Sequence, residues 1–268
     1  VDNQNQFSSC SDQTTLSNLA DGSHIFYIRA VDNVGRVSQT ISYSWMQDTM
    51  APTITFTQTP QAVTNSQSAT FQFQGINSNQ NIQSYLCSFD GGSYQSCSSP
   101  KNLSGLSDGM HSFSVIGKDA ANNSSSPIVY NWQIDTMNPT VQFTETPPSI
   151  TSSENAHFDI SAQDNGSGID RIECRLDGAS FQTCNLSVDF NNLSAGSHQV
   201  SIRSIDNAGN TSSIQNYQWD IDLTPPVVMI TSTPSDPTAN DMAEFTFTAT
   251  DSGSCVDSIE CRVDGSAF

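Results

Sequence analysis

Apolar and polar residues alternate with a period of two along most of this chain. The stretches 54–57, 69–73 and 111–115 each place every second side chain on one side: Ile54 and Phe56; Ala69, Phe71 and Phe73; His111, Phe113 and Val115. That is the pattern of a strand with one face on a core, and no stretch carries the 3.6-residue period of a helix. The runs are short and stop at turn signals. Asp90-Gly91 is a hairpin signal, because both residues tolerate the left-handed backbone of a tight turn. Pro52 has no donor for a sheet ladder and marks a linker or an edge entry. Between 49 and 135 the pattern predicts about seven strands, at 54–57, 69–73, 82–89, 94–97, 103–106, 111–115 and 128–134. Seven alternating strands in fewer than a hundred residues predict a two-sheet sandwich.

The same pattern recurs. His24, His111 and His198 are separated by 111 − 24 = 87 and 198 − 111 = 87; Trp45, Trp132 and Trp219 follow the same interval, as do Pro52, Pro139 and Pro226. A strict period means one unit copied in tandem. The predicted units are 1–48, the latter part of a repeat; 49–135 and 136–222, two complete repeats; and 223–268, the first part of another. In the third unit the strands are expected at 141–144, 157–161, 169–176, 181–184, 198–205 and 214–221. Val1 falls at the register of Ser88 and Phe268 at that of Tyr94, so the chain is expected to be a segment of a longer array. Units are joined only by Asp-(Thr/Leu)-x-x-Pro, which predicts close neighbours and a stiff array.

Charge narrows the partners. Eight Lys and Arg stand against 27 Asp and Glu, a net −19. A field of that sign repels phosphate backbones and anionic lipid, which argues against nucleic acid and membrane surfaces, and it favours solubility and cations such as calcium. No run of 18 apolar residues predicts insertion into a bilayer.

Seven cysteines fit the period. Cys87 and Cys97, and Cys174 and Cys184, lie ten apart across the Asp-Gly hairpin, on facing strands. That separation predicts two cross-hairpin disulfides, each worth about 2–3 kcal/mol. Cys10 aligns with Cys97 and Cys261 with Cys174; each is expected to be the truncated half of a further such pair, with its partner one residue before Val1 and just past Phe268 respectively. Cys255 stands at the register of Gly168 and either pairs with another chain or stays free. Two cysteines and one distant histidine per unit make a poor zinc set. Paired cysteines predict an extracellular or cell-surface setting.

The repeated chemistry-bearing residues read first as structure. His24, His111 and His198 begin a strand in phase with core positions, which predicts a partly buried histidine at the sandwich end. A catalytic base would need a nucleophile or paired carboxylate and would not recur in every unit. Trp45, Trp132 and Trp219 alternate with core positions of the last strand. A sugar-stacking platform would require one of these rings to face outward. The turns opened by Asp32, Asp119 and Asp206 need no ligand, since Asp and Asn bond their own turn backbone. Calcium at unit junctions is the alternative: Asp32, Asp119 and Asp206, with Asp48, Asp135 and Asp222 at the unit exits and Asp21 and Asp108 near one end, could supply oxygens from two units. Against a uniform site, Asp164 and Asp170 become Asn77 and Gln83 one repeat earlier. No catalytic residue is predicted.

Taken together, Cys-(Ser/Arg)-(Phe/Leu)-Asp-Gly, then Cys, then Leu-Ser-x-Gly-x-His or a variant, then Asp-x-Ala-Gly-Asn, then Tyr-x-Trp-x-x-Asp-x-x-x-Pro resembles bacterial immunoglobulin-like repeats over essentially the whole chain. The resemblance implies immunoglobulin-like (fibronectin-III-like) β-sandwiches arranged end to end in a large secreted or surface-anchored adhesin or extracellular fibre. It implies a non-enzymatic stalk that spaces a distal tip from the cell, with calcium at some junctions. Neighbouring repeats would be the main partners. Two other readings remain: a carbohydrate- or host-surface-binding module, and a self-assembling filament subunit.

Overall fold

The computed structural model describes residues 6–77 and 81–264; Val1 and Phe268, the two positions used above to phase the chain's ends, lie outside them. Among the described residues every regular element is a strand, and no helix is long and apolar enough to cross a membrane. The chain divides into two units, Val1–Thr136 and Met137–Phe268.

The first unit opens with an antiparallel hairpin of β1 (Gly22–Ile28) and β2 (Ile41–Gln47), in register His24 to Trp45. It continues with β3 (Thr53–Gln58), β4 (Val63–Thr64), β5 (Ser68–Ile76), β6 (Ile82–Phe89), β7 (Gln95–Cys97), β8 (Lys101–Ser104), β9 (Gly109–Asp119) and β10 (Ile128–Ile134). These eight form two sheets, ordered β3-β5-β8 and β4-β10-β9-β6-β7. Only β4 runs parallel to its neighbour. This is an immunoglobulin-like sandwich.

Alternation in the sequence becomes alternation in burial. Along β9, His111, Phe113, Val115, Gly117 and Asp119 point inward, while the residues between them are half-buried. Along β5, Ala69, Phe71 and Phe73 are buried and Gln72 and Gln74 exposed. The two inner faces meet at Phe71, which stacks on Phe113 at 4.3 Å between ring centroids and lies 5.2 Å from Trp132. Gly117 marks a close approach in mid-strand: the Ile54 side chain fills the space that its Cβ would need.

The second unit repeats the plan with β11 (Thr140–Glu145), β12 (Ile150–Thr151), β13 (Ala156–Gln163), β14 (Ile169–Leu176), β15 (Gln182–Cys184), β16 (Ser187–Phe190), β17 (Gly196–Asp206) and β18 (Gln215–Ile221). Its sheets run β11-β13-β16 and β12-β18-β17-β14-β15. Phe158 and Val200 are fully buried at the centre, with Trp219 1% exposed beside them. A two-stranded sheet of β19 (Val227–Ser232) and β20 (Thr246–Thr250) follows.

The structure makes eight strands in each complete sandwich, against seven expected in the first and six in the second. β4 and β12 are two residues long, too short to show a period, and each runs parallel to the last strand; β16, four residues long, is the other strand not expected in the second sandwich. The first strand also carries a register shift at the same place each time, between Phe56 and Gln58, Phe143 and Glu145, and Ile230 and Ser232. Such a bulge bends the strand over the core.

Truncating Phe71 tests the packing. Phe71→Ala should cost about 3–5 kcal/mol in urea unfolding, while Gln72→Ala, one residue on and facing solvent, should stay within about 0.5 kcal/mol. Similar losses for the two would contradict the assigned faces.

Candidate functional site

The residues that recur every 87 positions collect at two places in each sandwich. One is the Asp-Gly hairpin and the histidine beside it. Asp90 takes φ 48° and Gly91 φ 70°, the left-handed central pair of a tight turn closed by the Gly92 N–H on the Phe89 carbonyl at 2.9 Å. The Asp90 carboxylate turns back onto β9: Oδ1 accepts from the Ser112 N–H at 2.8 Å, and Oδ2 lies 2.8 Å from His111 Nδ1. His111 Nε2 faces the Ser107 carbonyl, also at 2.8 Å. The ring packs between Phe89 and Trp132, with centroids 5.4 and 5.5 Å away.

Both ring nitrogens therefore meet groups that only accept, a carbonyl and a carboxylate. Only the doubly protonated imidazolium donates at both. Burial is the largest single influence on His111 and pulls its pKa down; the Ser107 carbonyl and the Asp90 carboxylate together outweigh it, so the net shift is upward. His198 repeats the geometry with Ser194 O at 2.9 Å and Asp177 Oδ2 at 2.8 Å, and is raised chiefly by that carbonyl. His24, buried at the start of β1, faces the Ala20 carbonyl at 2.7 Å. In His111 and His198 both ring nitrogens are engaged, which leaves neither to take a proton from a substrate.

On the same hairpin, disulfides join Cys87 to Cys97 and Cys174 to Cys184, each with Cα atoms 5.8 Å apart. The bonds run diagonally, since Cys87 stands opposite Gln95 and Cys97 opposite Tyr85. Cys10, Cys255 and Cys261 are exposed free thiols.

The second place is the turn opened by each repeated aspartate. Asp32 Oδ1 accepts from the Val34 and Arg36 N–H groups, at 3.0 and 2.8 Å. Asp119 Oδ1 accepts from Asn123 N–H and Asp206 Oδ1 from Asn210 N–H, each at 2.8 Å. In the first unit this turn also meets the exit aspartate. The Asn77 amide donates to Asp119 Oδ2 at 3.1 Å and to Asp48 Oδ2 at 3.4 Å. The Asn123 amide donates to the Asp48 carbonyl at 3.1 Å and to Asp119 Oδ2 at 3.0 Å. Burial raises the Asp119 carboxyl most, but the bonds from Asn123, Ala121 and Asn77 together hold it below the usual range. Nearby, Asp21 accepts from Thr49, and Asp108 likewise from Thr136, fastening strand starts to exit segments.

In the second unit Asp222 accepts from the hydroxyl and N–H of Thr224, and with Ser254 these bonds drive its carboxyl far below the usual range. Its carboxylate occupies the space that a Cβ on Gly253 would fill. Asp135 is 1% exposed, and its N–H donates to Thr64.

Of the eight aspartates weighed for calcium, Asp48 and Asp119 come together within the first unit, while Asp32 is spent on its own exposed turn. Asp48, Asp119 and Asn77 could hold a hard cation only with the Asn77 amide turned about, because its NH₂ now points at both carboxylates. Those side chains would still need water to reach the six to eight oxygens of a calcium shell.

Sequence reading missed three partners. Asp90 and Asp177 bond the histidines as well as making the hairpin turn, and an aspartate 21 residues before each histidine is the sequence signal for it. Asn77, which stands where the next repeat has Asp164, carries the joint. The Glu173 carboxylate holds Arg203 at 2.6 Å and Arg171 at 2.9 Å, and Arg175 and Arg203 lie over the Phe181 ring. The sandwich one repeat earlier lacks the cluster, with Leu86, Ile116 and Ser84 at the registers of Glu173, Arg203 and Arg171; two repeats earlier the Arg203–Phe181 contact recurs as Arg29 over Phe7.

No known family profile matches the chain, and no curated protein sequence matches it. Solved structures do. Fibronectin(III)-like modules of Clostridium thermocellum CbhA align at 15% identity with a TM-score of 0.42, over 63% of this chain and 94% of that one. The FN1–FN3 domains of chicken CNTN1 align at 11% and 0.34, over 73% and 77%. The D00-D0 domain of intimin aligns at 12% and 0.27, over 63% and 97%. At these scores the fold assignment rests on the strand order and register above.

Two measurements check the site. The imidazolium clip makes stability fall with rising pH. Its contribution is complete below the unfolded histidine pKa of about 6.5 and is lost as pH climbs through the higher folded value. Thermal melts from pH 6 to 9 should show this decline, and Asp90→Asn with Asp177→Asn should flatten it; an unchanged slope in the double variant would contradict the clip. Asn77→Asp should lower the melting temperature in EGTA, by setting three carboxylates together, and calcium should restore it. No loss in EGTA would mean that Asn77 does not bridge the two aspartates.

Proposed function

We propose that the chain is a structural stalk or fibre segment of a secreted or cell-surface bacterial protein, an adhesin or extracellular appendage, that spaces a functional tip from the cell. The observation that carries this reading is the use made of the repeated polar residues. In each complete sandwich the histidine, the hairpin aspartate and the turn aspartate are spent on holding strands to turns. A segment selected for chemistry would differ between repeats at its reacting groups; here the same fastenings recur at one interval. The two disulfides fit an oxidising, extracellular setting. The bacterial origin and the adhesin class come from the motif resemblance.

Single-molecule pulling tests the reading. The two complete sandwiches should release as two similar events. Reduction should lengthen each by about 35 Å, since the disulfide ties off ten residues at about 3.5 Å each. One cooperative event for the whole chain, or extension without resistance, would contradict a mechanical role.

A further inference from the structure

The chain has four histidines, and one of them breaks the 87-residue interval. His157 lies in β13 between the buried Ala156 and Phe158, so its side chain stands on the outer face of the three-stranded sheet. Asp189 of β16 is directly opposite it. Asp159, two residues on along β13, is directly opposite Glu145 of β11. A strand puts alternate residues on one face, so His157 and Asp159 share it. Glu145 joins them because of the bulge. Phe143 packs against the core, and strict alternation would turn Glu145 inward as well; the extra residue, Thr144, turns it out beside Asp159.

The spacing of these groups is that of a metal shell. His157 Nδ1 lies 2.7 Å from Asp189 Oδ1. With Asp189 accepting from Nδ1–H, the lone pair of Nε2 is left for another partner, and Asp159 Oδ1 is 3.4 Å from that nitrogen. Ligand atoms of Glu145, His157 and Asp159 all lie within 4.8 Å of one another. Zinc takes imidazole nitrogen and carboxylate oxygen at about 2.0–2.2 Å, and tetrahedral arms of that length set neighbouring ligand atoms about 3.4 Å apart. His157 and Asp159 already have that separation. Glu145, exposed at the end of β11, reaches the third corner by rotating its side chain. A carboxylate on the far nitrogen of a metal-bound histidine, the place of Asp189, fixes the tautomer and raises the basicity of the ligand. The arginines of this sandwich, Arg171, Arg175 and Arg203, belong to the other sheet, in β14 and β17, and Glu173 engages two of them. Three carboxylates beside one imidazole therefore leave this face an excess of negative charge, which favours a dication from solution.

The sandwich one repeat earlier has the same strands, register and bulge without this chemistry. Gln58, Thr70, Gln72 and Asn102 stand at the registers of Glu145, His157, Asp159 and Asp189. Gln58 faces Gln72 across the bulge, and the Thr70 hydroxyl donates to Asn102 Oδ1 at 2.9 Å. The fold therefore needs none of the four ionisable groups, yet they occur together in one sandwich. We propose that Glu145, His157 and Asp159 form a zinc site on the outer face of the second complete sandwich, with Asp189 as the positioning residue that orients His157. Three protein ligands leave the fourth tetrahedral position to water, open to solvent. The ion joins β11 to β13 across the bulge. The site is independent of the stalk reading.

The test uses the purified 268-residue chain, stripped with EDTA and alkylated with iodoacetamide so that the thiols of Cys10, Cys255 and Cys261 take no zinc. Titration with zinc chloride against a fluorescent chelator at neutral pH should show one zinc bound per chain. Cobalt(II) chloride in its place should give the visible absorption of a four-coordinate ion. His157→Thr and Glu145→Gln, each installing the residue of the preceding repeat, should weaken zinc binding at least tenfold and leave the metal-free melting of both complete sandwiches unchanged. Asp189→Asn keeps all three ligands but removes the carboxylate behind His157, and should weaken binding about tenfold. Millimolar calcium should not displace the zinc. An alkylated chain that binds no zinc would overturn the proposal and leave the four groups as a surface ion pair. Zinc held equally by His157→Thr, or displaced by millimolar calcium, would overturn it as well, by placing the ion on carboxylates alone.

Discussion

A single β-sheet with one apolar face cannot bury that face alone. The two complete sandwiches satisfy this constraint by closing a three-stranded sheet on a five-stranded one, with Phe71 against Phe113 in one and Phe158 beside Trp219 in the other. Core side chains at these positions are almost wholly removed from water. Among the described residues β1–β2 and β19–β20 are two-stranded sheets with no opposing sheet, and the same residue types in β2 and around β20 stand in solvent. Burial follows the presence of the second sheet, not the identity of the side chain.

Polar fastenings at the sandwich rim complete what apolar closure begins. The core is thin, so the ends of strands must be held by directed bonds. The imidazolium between Ser107 and Asp90 ties the loop before β9 to the β6–β7 hairpin, and the disulfide ties that hairpin to itself. At the other rim Asp119 closes its turn and, through Asn77 and Asn123, grips the segment leaving β2. Local bonds four residues apart, from His111 to Ser107 and Asn123 to Asp119, are joined to distant ones, from His111 to Asp90 and Asn123 to Asp48. The net charge of −19 favours solubility.

Much of the all-β architecture was legible because a period of two survives in β5, β9 and β13, and because copies at an interval of 87 reinforce one another. The histidine and tryptophan could be placed on a core face by phase alone. Other features leave no linear trace. β4 and β12 are too short to alternate, and the bulge after Phe56 and Phe143 costs one residue in an otherwise regular strand. Asn77 meets Asp48 and Asp119 at sequence distances of 29 and 42, separations that only the fold resolves. The Glu173 cluster is interrupted one repeat earlier by Leu86 and Ile116, so the period shows it only in pieces, as Glu260 with Arg262 and as Arg29 with Phe7.

Amide hydrogen exchange on the dilute, reduced chain tests most directly whether sheet closure governs order. The account predicts slow exchange in β9, β10, β17 and β18, which lie inside closed sandwiches, and fast exchange in β1, β2, β19 and β20, which have the same kinds of sequence but one sheet each. Equal protection across all eight strands would contradict it.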